Sequence, residues 1–505
     1  MKITRTCTGL LLHNYVPKTC KNLEWKTSIL NRNTHKLVPT TGFYDEKTHT
    51  FATYNMTNEQ IRFMLSNSPY KTADIIAENP RLGRRMQPFT TNIKLTDVQQ
   101  PVFDELIYNK KSETFVNLPT AIGKTIIAVQ YVSFMATKCI ILCYNSKVLD
   151  QWKSAFEEKT NIDPNRIEII KESKYLMKVI DNKIDVNSTD IWLATPAMIH
   201  SFGENHGWDL LSKAFDRMGI GIKIIDEAHR NLGTTIRLNA WTNIAKTVYL
   251  SADFNQASYE MRKQFFEVFK FVPVIKLDDD TLKDLKHITA VVYKFNSHPD
   301  IKDILKVTNG GKRNRYHWDQ YGYTKYALAN GELSQRVVKI LEQILKSDKE
   351  TANGKPYKIL ILSNMIAAVD DIYSIVNAMP TGRTVSRLHG DVPKEEASKA
   401  TSADIIISTY QAFSIGVDIT YPNIRHVISM CPVDSIAANQ AAGRNRPIEG
   451  LKSFFWMLVD QGFDYCVSNS TKVLKYLSLS RIGEIKCIDE GAVTNELHAV
   501  EKDDV

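Results

Sequence analysis

Between residues 95 and 290, short apolar runs rich in β-branched residues alternate with stretches whose apolar positions recur at helical spacing. The runs Thr114 to Leu118, Cys139 to Cys143, Ile191 to Thr195, Ile222 to Asp226 and Thr247 to Leu250 have little polar face. That predicts strands buried on both sides, as parallel strands covered by helices are. The alternation returns between 333 and 480, with Lys358 to Leu362, Thr384 to Leu388, Asp404 to Ser408, His426 to Met430 and Phe454 to Val459 as strands. The pattern predicts an α/β chain with two open parallel sheets in tandem. Residues 1 to 90 differ: Thr41 to Tyr54 reads as strand, turn and strand, the mark of a small α+β accessory domain. Asn79 to Arg85 reads as a basic linker into the first lobe.

The expected domains are an accessory domain at 1–90, a first lobe at 91–298, an interlobe segment at 299–332, a second lobe at 333–480 and a tail at 481–505 that frays at its end. Within the interlobe segment, residues 302–326 mix six Lys and Arg with five aromatics, among them Tyr316, Trp318, Tyr321 and Tyr323.

Composition narrows the classes. With 505 residues, 43% hydrophobic and 24% charged, the chain has the make-up of a globular protein with several cores, not a disordered or fibrous one. No apolar stretch reaches the roughly 20 residues of a membrane span. A cytoplasmic protein without membrane contact is expected. Seven cysteines, with no C-x-x-C pair, predict neither a disulfide framework nor a zinc site. Residues 1–94 hold 14 Lys and Arg against 6 Asp and Glu, which accounts for the whole net charge of +8. A basic module on a neutral body predicts a polyanionic partner such as nucleic acid.

The chemistry concentrates at strand ends. Leu118-Pro119-Thr120-Ala121-Ile122-Gly123-Lys124-Thr125 follows one strand and precedes a helix, the context of a phosphate-binding loop. Backbone N–H groups at the helix start face phosphates, Lys124 reaches their oxygens, and the Thr125 hydroxyl is suited to Mg²⁺. The run Ile222 to Ile225 ends in Asp226-Glu227-Ala228-His229. Carboxylates at the carboxyl end of a parallel strand point into the ligand crevice, where Asp226 can hold Mg²⁺ and Glu227 can deprotonate water. In the second lobe, Arg444 and Arg446 offer guanidinium groups for a transferring phosphoryl group.

The order of these motifs resembles the superfamily 2 helicases and translocases of the DEAH-box type across about residues 95 to 470. Gln99 stands where the Q-motif-like element has its amide, Leu118 to Thr125 is similar to motif I, and Val148 to Trp152 to motif Ia. Thr195-Pro196 resembles motif Ib, Asp226 to His229 motif II, and Leu250-Ser251-Ala252-Asp253 occupies the place of motif III. Leu388-His389-Gly390 resembles motif IVa, Ser408-Thr409 with Gly416-Val417-Asp418 motif V, and Gln440 to Arg446 motif VI. Size and layout most resemble the UvsW-type branch-migrating helicases of tailed bacteriophages, and features are shared with the RecG, XPB and restriction-enzyme motor groups.

The resemblance implies two RecA-like lobes with ATP and Mg²⁺ as cofactors. ATP would be bound by Gln99, residues 118–125, Asp418 and Gln440. Mg²⁺ would be held by Thr125 and Asp226, with Lys124, Glu227, Arg444 and Arg446 catalytic. It implies coupling through His229 and Ser251, and nucleic-acid contact at Trp152, Thr195, His389 and Thr409. The basic and aromatic residues Arg84, Arg85, Arg313, Arg315 and Trp318 join that surface. Branched or forked DNA is the implied partner, with recombination or replication proteins around it, in the cytoplasm of a bacterial host.

Three departures bear on this reading. Ala121 stands where motif I has glycine, Asp253 where motif III has threonine, and Pro447 where motif VI has its second arginine, so that Arg446 comes one residue early. An RNA helicase, using the same motor, and a nucleic-acid-binding protein with a weakened ATPase stay open.

Overall fold

All ten runs read as strands form strands, five in each of two seven-stranded parallel sheets. The computed structural model describes residues 1–490 except 32–34, 71–72, 120–121, 252–258, 298–306, 309–315, 318–319, 415–421 and 480. The chain divides into two units, Met1–Leu277 and Asp278–Val505.

In the first unit the strand order is Ile167–Ile169, Ile191–Ala194, Cys139–Leu142, Ile222–Asp226, Lys246–Ser251, Glu113–Asn117 and Val274–Lys276, every pair parallel. Cys139–Leu142 and Ile191–Ala194 are buried along their whole length, which is why they show no alternation in sequence. The two edge strands are only three residues long, and no run in the sequence marked them. The order places Lys246–Ser251 between the strand that enters the phosphate loop and the strand that ends in Asp226. Asp226 pairs with Leu250, and Ser251 with Asn117. Three adjacent carboxyl ends therefore carry the candidate chemistry.

The second sheet runs Val385–Leu388, Ile405–Thr409, Lys358–Ser363, Ile424–Ser429, Ser453–Asp460, Ile288–Phe295 and Ile482–Asp489, again all parallel. Two expected boundaries move. Ile288–Phe295, placed by sequence in a first lobe ending at 298, pairs along its length with Ser453–Asp460 and belongs to the second unit. Its apolar run is buried by that sheet, so the division falls at Leu277 and Asp278. Ile482–Asp489, expected in the tail, adds an edge strand beside it. In the expected interlobe segment, Gln320–Ala329 is a helix in which Tyr323 is buried and its hydroxyl donates to Asp460 Oδ2 at 3.2 Å. Tyr323 is thus a core residue, while Arg313, Arg315, Trp318 and the frayed end at 501–505 lie outside the described residues.

The N-terminal sheet has the order Gly42–Asp45, Thr50–Tyr54, Gly9–His13, Lys2–Arg5 and Ile75–Ala77, antiparallel except for the last pair. One face closes over Ile3, Leu10, Leu12, Phe51 and Tyr54 with Ile61 and Leu65 of the helix Asn58–Leu65. The other face lies on the helix Leu232–Thr242 of the first lobe, where Leu11 and Ala52 meet Ala240. A Cβ on Gly9 would come within 2.7 Å of Ala240 Cα, so glycine permits the approach. The Thr6 and Thr8 hydroxyls donate to the Asn239 carbonyl at 3.1 and 2.8 Å, and the Arg237 guanidinium lies 3.8 Å from the Phe43 ring centre.

The basic segment after this sheet is bound, not loose. Arg81 and Arg84 donate their backbone N–H groups to Asn243 and Gly219, and Arg84 Nη1 donates to Asn187 Oδ1 at 3.1 Å. Arg84 and Arg85 lie beside Lys138 and Thr137, at the amino ends of the strands and so at the edge away from the phosphate loop.

Candidate active site

The strand Glu113–Asn117 delivers the chain into the loop at Leu118, which is buried and donates its N–H to the Ser251 carbonyl at 3.1 Å. Gly123 stands before the helix Lys124–Met135 with φ +91°, and a Cβ there would meet Gln99 Nε2 at 2.4 Å. Both facts demand glycine. Gln99 Nε2 donates to the Ile122 carbonyl at 2.7 Å while its Oε1 accepts the Thr96 N–H at 3.1 Å. The amide is thereby braced against the loop, and its chemistry leaves one N–H and one lone pair for a base edge. Lys124 Nζ donates to the Leu118 carbonyl at 3.1 Å, drawing the ammonium across the inside of the loop. Thr120 and Ala121 lie outside the described residues.

Two strands away, Asp226 Oδ1 accepts the Glu227 N–H at 3.0 Å and Oδ2 accepts the Trp152 indole N–H at 3.2 Å. Desolvation, then the charge of Glu227, pushes the Asp226 carboxyl up to about 6, against the pull of Lys124 and the indole. Glu227 has φ +50°, a left-handed turn that lifts the chain off the strand and costs a non-glycine residue about 1 kcal/mol or more. Its Oε2 lies 3.4 Å from His229 Nδ1, which is 2.8 Å from Ser251 Oγ. Burial, with Arg230 and Lys124 nearby, holds the His229 imidazole down at about 4, so it is neutral at pH 7. His229 Nε2 is buried with no hydrogen-bond partner among the described residues. Ala252 and Asp253 lie outside them.

The first unit thus gathers Gln99, the loop, Asp226, Glu227, His229 and Ser251. Among the described residues no three His, Cys, Asp or Glu side chains cluster to hold a metal. Mg²⁺ needs no such cage, because one or two protein oxygens suffice when phosphate and water complete its octahedron, and Asp226 and Thr125 fit that demand. All seven cysteines are free thiols.

Trp152 is corrected from a nucleic-acid contact to an internal support. It is 1% exposed and shares the buried face of the helix Ser146–Lys159 with Leu149 and Phe156, a spacing visible in the sequence. What the sequence did not show is that its N–H aims at Asp226. Trp152→Phe is expected to raise the Mg²⁺ concentration for half-maximal ATP hydrolysis about tenfold, as loss of a group orienting a metal ligand does. Nucleic-acid affinity should stay unchanged. A Mg²⁺ titration and a binding isotherm check this, and the opposite split would return Trp152 to the contact surface.

Three other residues expected as contacts have internal hydrogen bonds. Thr195 Oγ1 accepts the Met198 N–H at 3.2 Å and caps the helix Pro196–His206. Thr409, 8% exposed, accepts the Ala412 N–H at 3.1 Å. Threonine at a strand-to-helix step is a good N-cap, and that accounts for both. His389, 7% exposed, has Nε2 3.1 Å from Asp370 Oδ1.

In the second unit, Gln440 lies on the helix Ser435–Ala442 and the two arginines follow it. Arg444 is half-buried; its Nη2 donates to the Phe413 carbonyl at 3.2 Å, and its guanidinium lies 5.6 Å from the Phe413 ring centre. Arg446 is exposed, and Asp418 lies outside the described residues. The sequence reading missed Asn364, which follows Lys358–Ser363 and has both side-chain amide atoms buried without partners among the described residues. A polar residue closing an apolar run was its signal.

Comparison with known proteins agrees with this arrangement. Residues 92–254 match the family model described as type III restriction enzyme, res subunit. None of the curated proteins compared matches the chain. Among solved structures, S. cerevisiae Dbp5 bound to RNA and ADP BeF3 is similar at 14% identity and a TM-score of 0.50, over 78% of this chain and 90% of that one. The DUF1998 helicase MrfA bound to DNA and AMPPNP is similar at 16% identity and a TM-score of 0.51, over 81% of this chain and 56% of that one. At such identities the likeness establishes the fold, two tandem RecA-like lobes.

Proposed function

We propose that the chain is an ATP-hydrolysing motor of the superfamily 2 helicase type on branched DNA, acting at forks or four-way junctions in phage recombination, repair or replication; the match of residues 92–254 to the res-subunit family model and the two-lobed fold support the motor. The observation that carries the motor is the set of three neighbouring strand ends bearing the loop, Asp226 with Glu227, and Ser251. In this reading Gln99 meets adenine and residues 118–125 wrap the phosphates, with Lys124 on their terminal oxygens. Thr125 and Asp226 hold Mg²⁺, which when bound neutralises phosphate charge. Glu227 takes a proton from the attacking water. Arg444 supplies positive charge to the γ-phosphate during turnover. Asp418 and Gln440 join the nucleotide contacts, and His229 with Ser251 couples nucleotide state to the grip on the strand.

Branched DNA is favoured by the N-terminal domain. Residues 14–40 alone contain five Lys and Arg against one acidic residue. On the same stretch Trp25 is 65% exposed, and Leu30, Leu37 and Val38 of a two-stranded hairpin are exposed as well. Phe63, on the helix packed beside Trp25's own, is 68% exposed. Exposed rings among lysines suit unpaired bases next to phosphates, as a junction presents. The domain is seated on the helix that follows the acidic pair, so it is carried with the ATP-binding lobe. Dbp5 was solved with RNA and MrfA with DNA, so the fold serves both nucleic acids.

The test is ATP turnover of the wild type and of Trp25→Ala with Phe63→Ala on single strands, linear duplex, forks, four-way junctions and RNA at matched salt. Branched DNA should stimulate most, and the double variant should need about tenfold more fork for half-stimulation, from stacking worth roughly 1–3 kcal/mol per base. Its response to linear duplex should not change. Stimulation by RNA alone would make the chain an RNA helicase, and none at all would leave a binding protein.

A further inference from the structure

The turn that carries both arginines is held from a distance by a histidine. His287 lies in the three-residue segment between the helix Asp279–Asp284 and the strand Ile288–Phe295, where the chain enters the second sheet. Its Nδ1 is 2.8 Å from the Leu285 carbonyl oxygen and its Nε2 is 2.7 Å from the Asn445 carbonyl oxygen. Both partners are acceptors only. A neutral imidazole has one N–H and one lone pair, so both bonds form only when the ring carries two protons.

The contrast within the same unit is sharp. His426 accepts the Trp456 indole N–H at Nδ1 (3.2 Å) and has Nε2 2.8 Å from Asp348, one donor and one acceptor. His389 likewise accepts the Asp391 N–H at Nδ1 (3.4 Å) and faces Asp370 at Nε2 (3.1 Å). Either can be satisfied as a neutral ring.

Asn445 stands between Arg444 and Arg446. It is buried and its Nδ2 donates to the Phe454 carbonyl at 3.0 Å. The His287 carbonyl in turn accepts the Ser453 N–H at 3.3 Å. The imidazole thus closes a bridge from the entry segment to the arginine turn, beside the Arg444 bond with Phe413.

We propose that doubly protonated His287 is a positioning residue for the arginine turn, setting the direction of Arg444 through the Asn445 backbone. The inference rests on the reading of Arg444 as the group that meets the γ-phosphate. Charged groups on the surrounding segments are Lys283, Asp284 and Lys286 before it, Lys452 paired with Glu484, buried Arg481, whose carbonyl accepts the Ile288 N–H, and the two arginines themselves. A ring that carries one proton keeps only one bond of the bridge, and the turn is then held from one side less.

Two measurements on the full chain test this. In ¹⁵N-histidine-labelled protein, with His287→Gln for assignment, both His287 ring nitrogens should resonate as protonated at pH 6. His287→Phe should lower kcat for ATP about tenfold at unchanged KM and melting temperature, the loss of one charge-assisted hydrogen bond. His287→Gln, whose amide donates one of the two bonds, should recover part of kcat. A neutral His287 at pH 6, or a Phe variant with wild-type kcat, overturns the proposal. If the wild type hydrolyses no ATP, the reading of the site has failed instead, and the resonance still decides the state of His287.

Discussion

Glu227→Gln should bind ATP as the wild type does and hydrolyse it at least about 100-fold more slowly, the contribution of a positioned general base. The amide has the shape of the carboxylate, so the left-handed turn at φ +50° and the neighbouring contacts with His229 need not change. What it loses is the capacity to take a proton. His229, held neutral by burial, has its Nδ1 already engaged with Ser251 at 2.8 Å. Single-turnover hydrolysis and binding of a fluorescent ATP analogue give the two quantities separately. A rate within threefold of wild type would place the base elsewhere. A loss of binding would mean that Glu227 shapes the pocket rather than the chemistry.

The second large effect is expected at Arg444 and not at Arg446. An arginine that meets a transferring phosphoryl group is worth about 10³ or more in kcat. The Arg444 guanidinium is already directed, by the Phe413 carbonyl at 3.2 Å and the ring beneath it. Part of its ordering entropy is therefore lost on folding rather than during catalysis. Arg446 is exposed and lies four residues past the end of the helix Ser435–Ala442, and Pro447 after it keeps the chain from re-entering a helix. Arg444→Ala should lower kcat about 1000-fold with ATP affinity within a few fold, and Arg446→Ala should cost less than about tenfold. Steady-state kinetics at saturating nucleic acid read both. The reverse ranking would assign the role to Arg446.

Much of this was legible along the chain because the relevant signals are local. A parallel strand covered on both faces shows as an apolar run, and a phosphate loop or an acidic pair shows as a short string at its end. Nine internal strands and the edge strand Val385–Leu388, the loop at 118–125 and Asp226-Glu227 are of this kind. The edge strands Ile167–Ile169 and Val274–Lys276 are too short to leave a pattern, and Ile288–Phe295 left one that could have belonged to either sheet.

Side-chain direction was the other blind spot. Trp152, Thr195, His389 and Thr409 stand at motif positions, yet one is core and the others are engaged in caps or an internal pair. Residue type tells what a group can bond to, and only its neighbours decide what it does bond to.

By itself, the sequence determined that the chain has two α/β lobes, a basic N-terminal module and the residue types for ATP chemistry. Each of these follows from contacts within a few residues or from charge. The tertiary structure alone decided the strand order that sets Ser251 between the loop and Asp226, the indole that orients Asp226, and the seat of the N-terminal sheet on Leu232–Thr242. It also decided which sheet received Ile288–Phe295 and that His287 Nε2 faces the Asn445 carbonyl. These are pairings between residues tens to more than two hundred positions apart, selected by the packing of whole elements, and no local pattern encodes them.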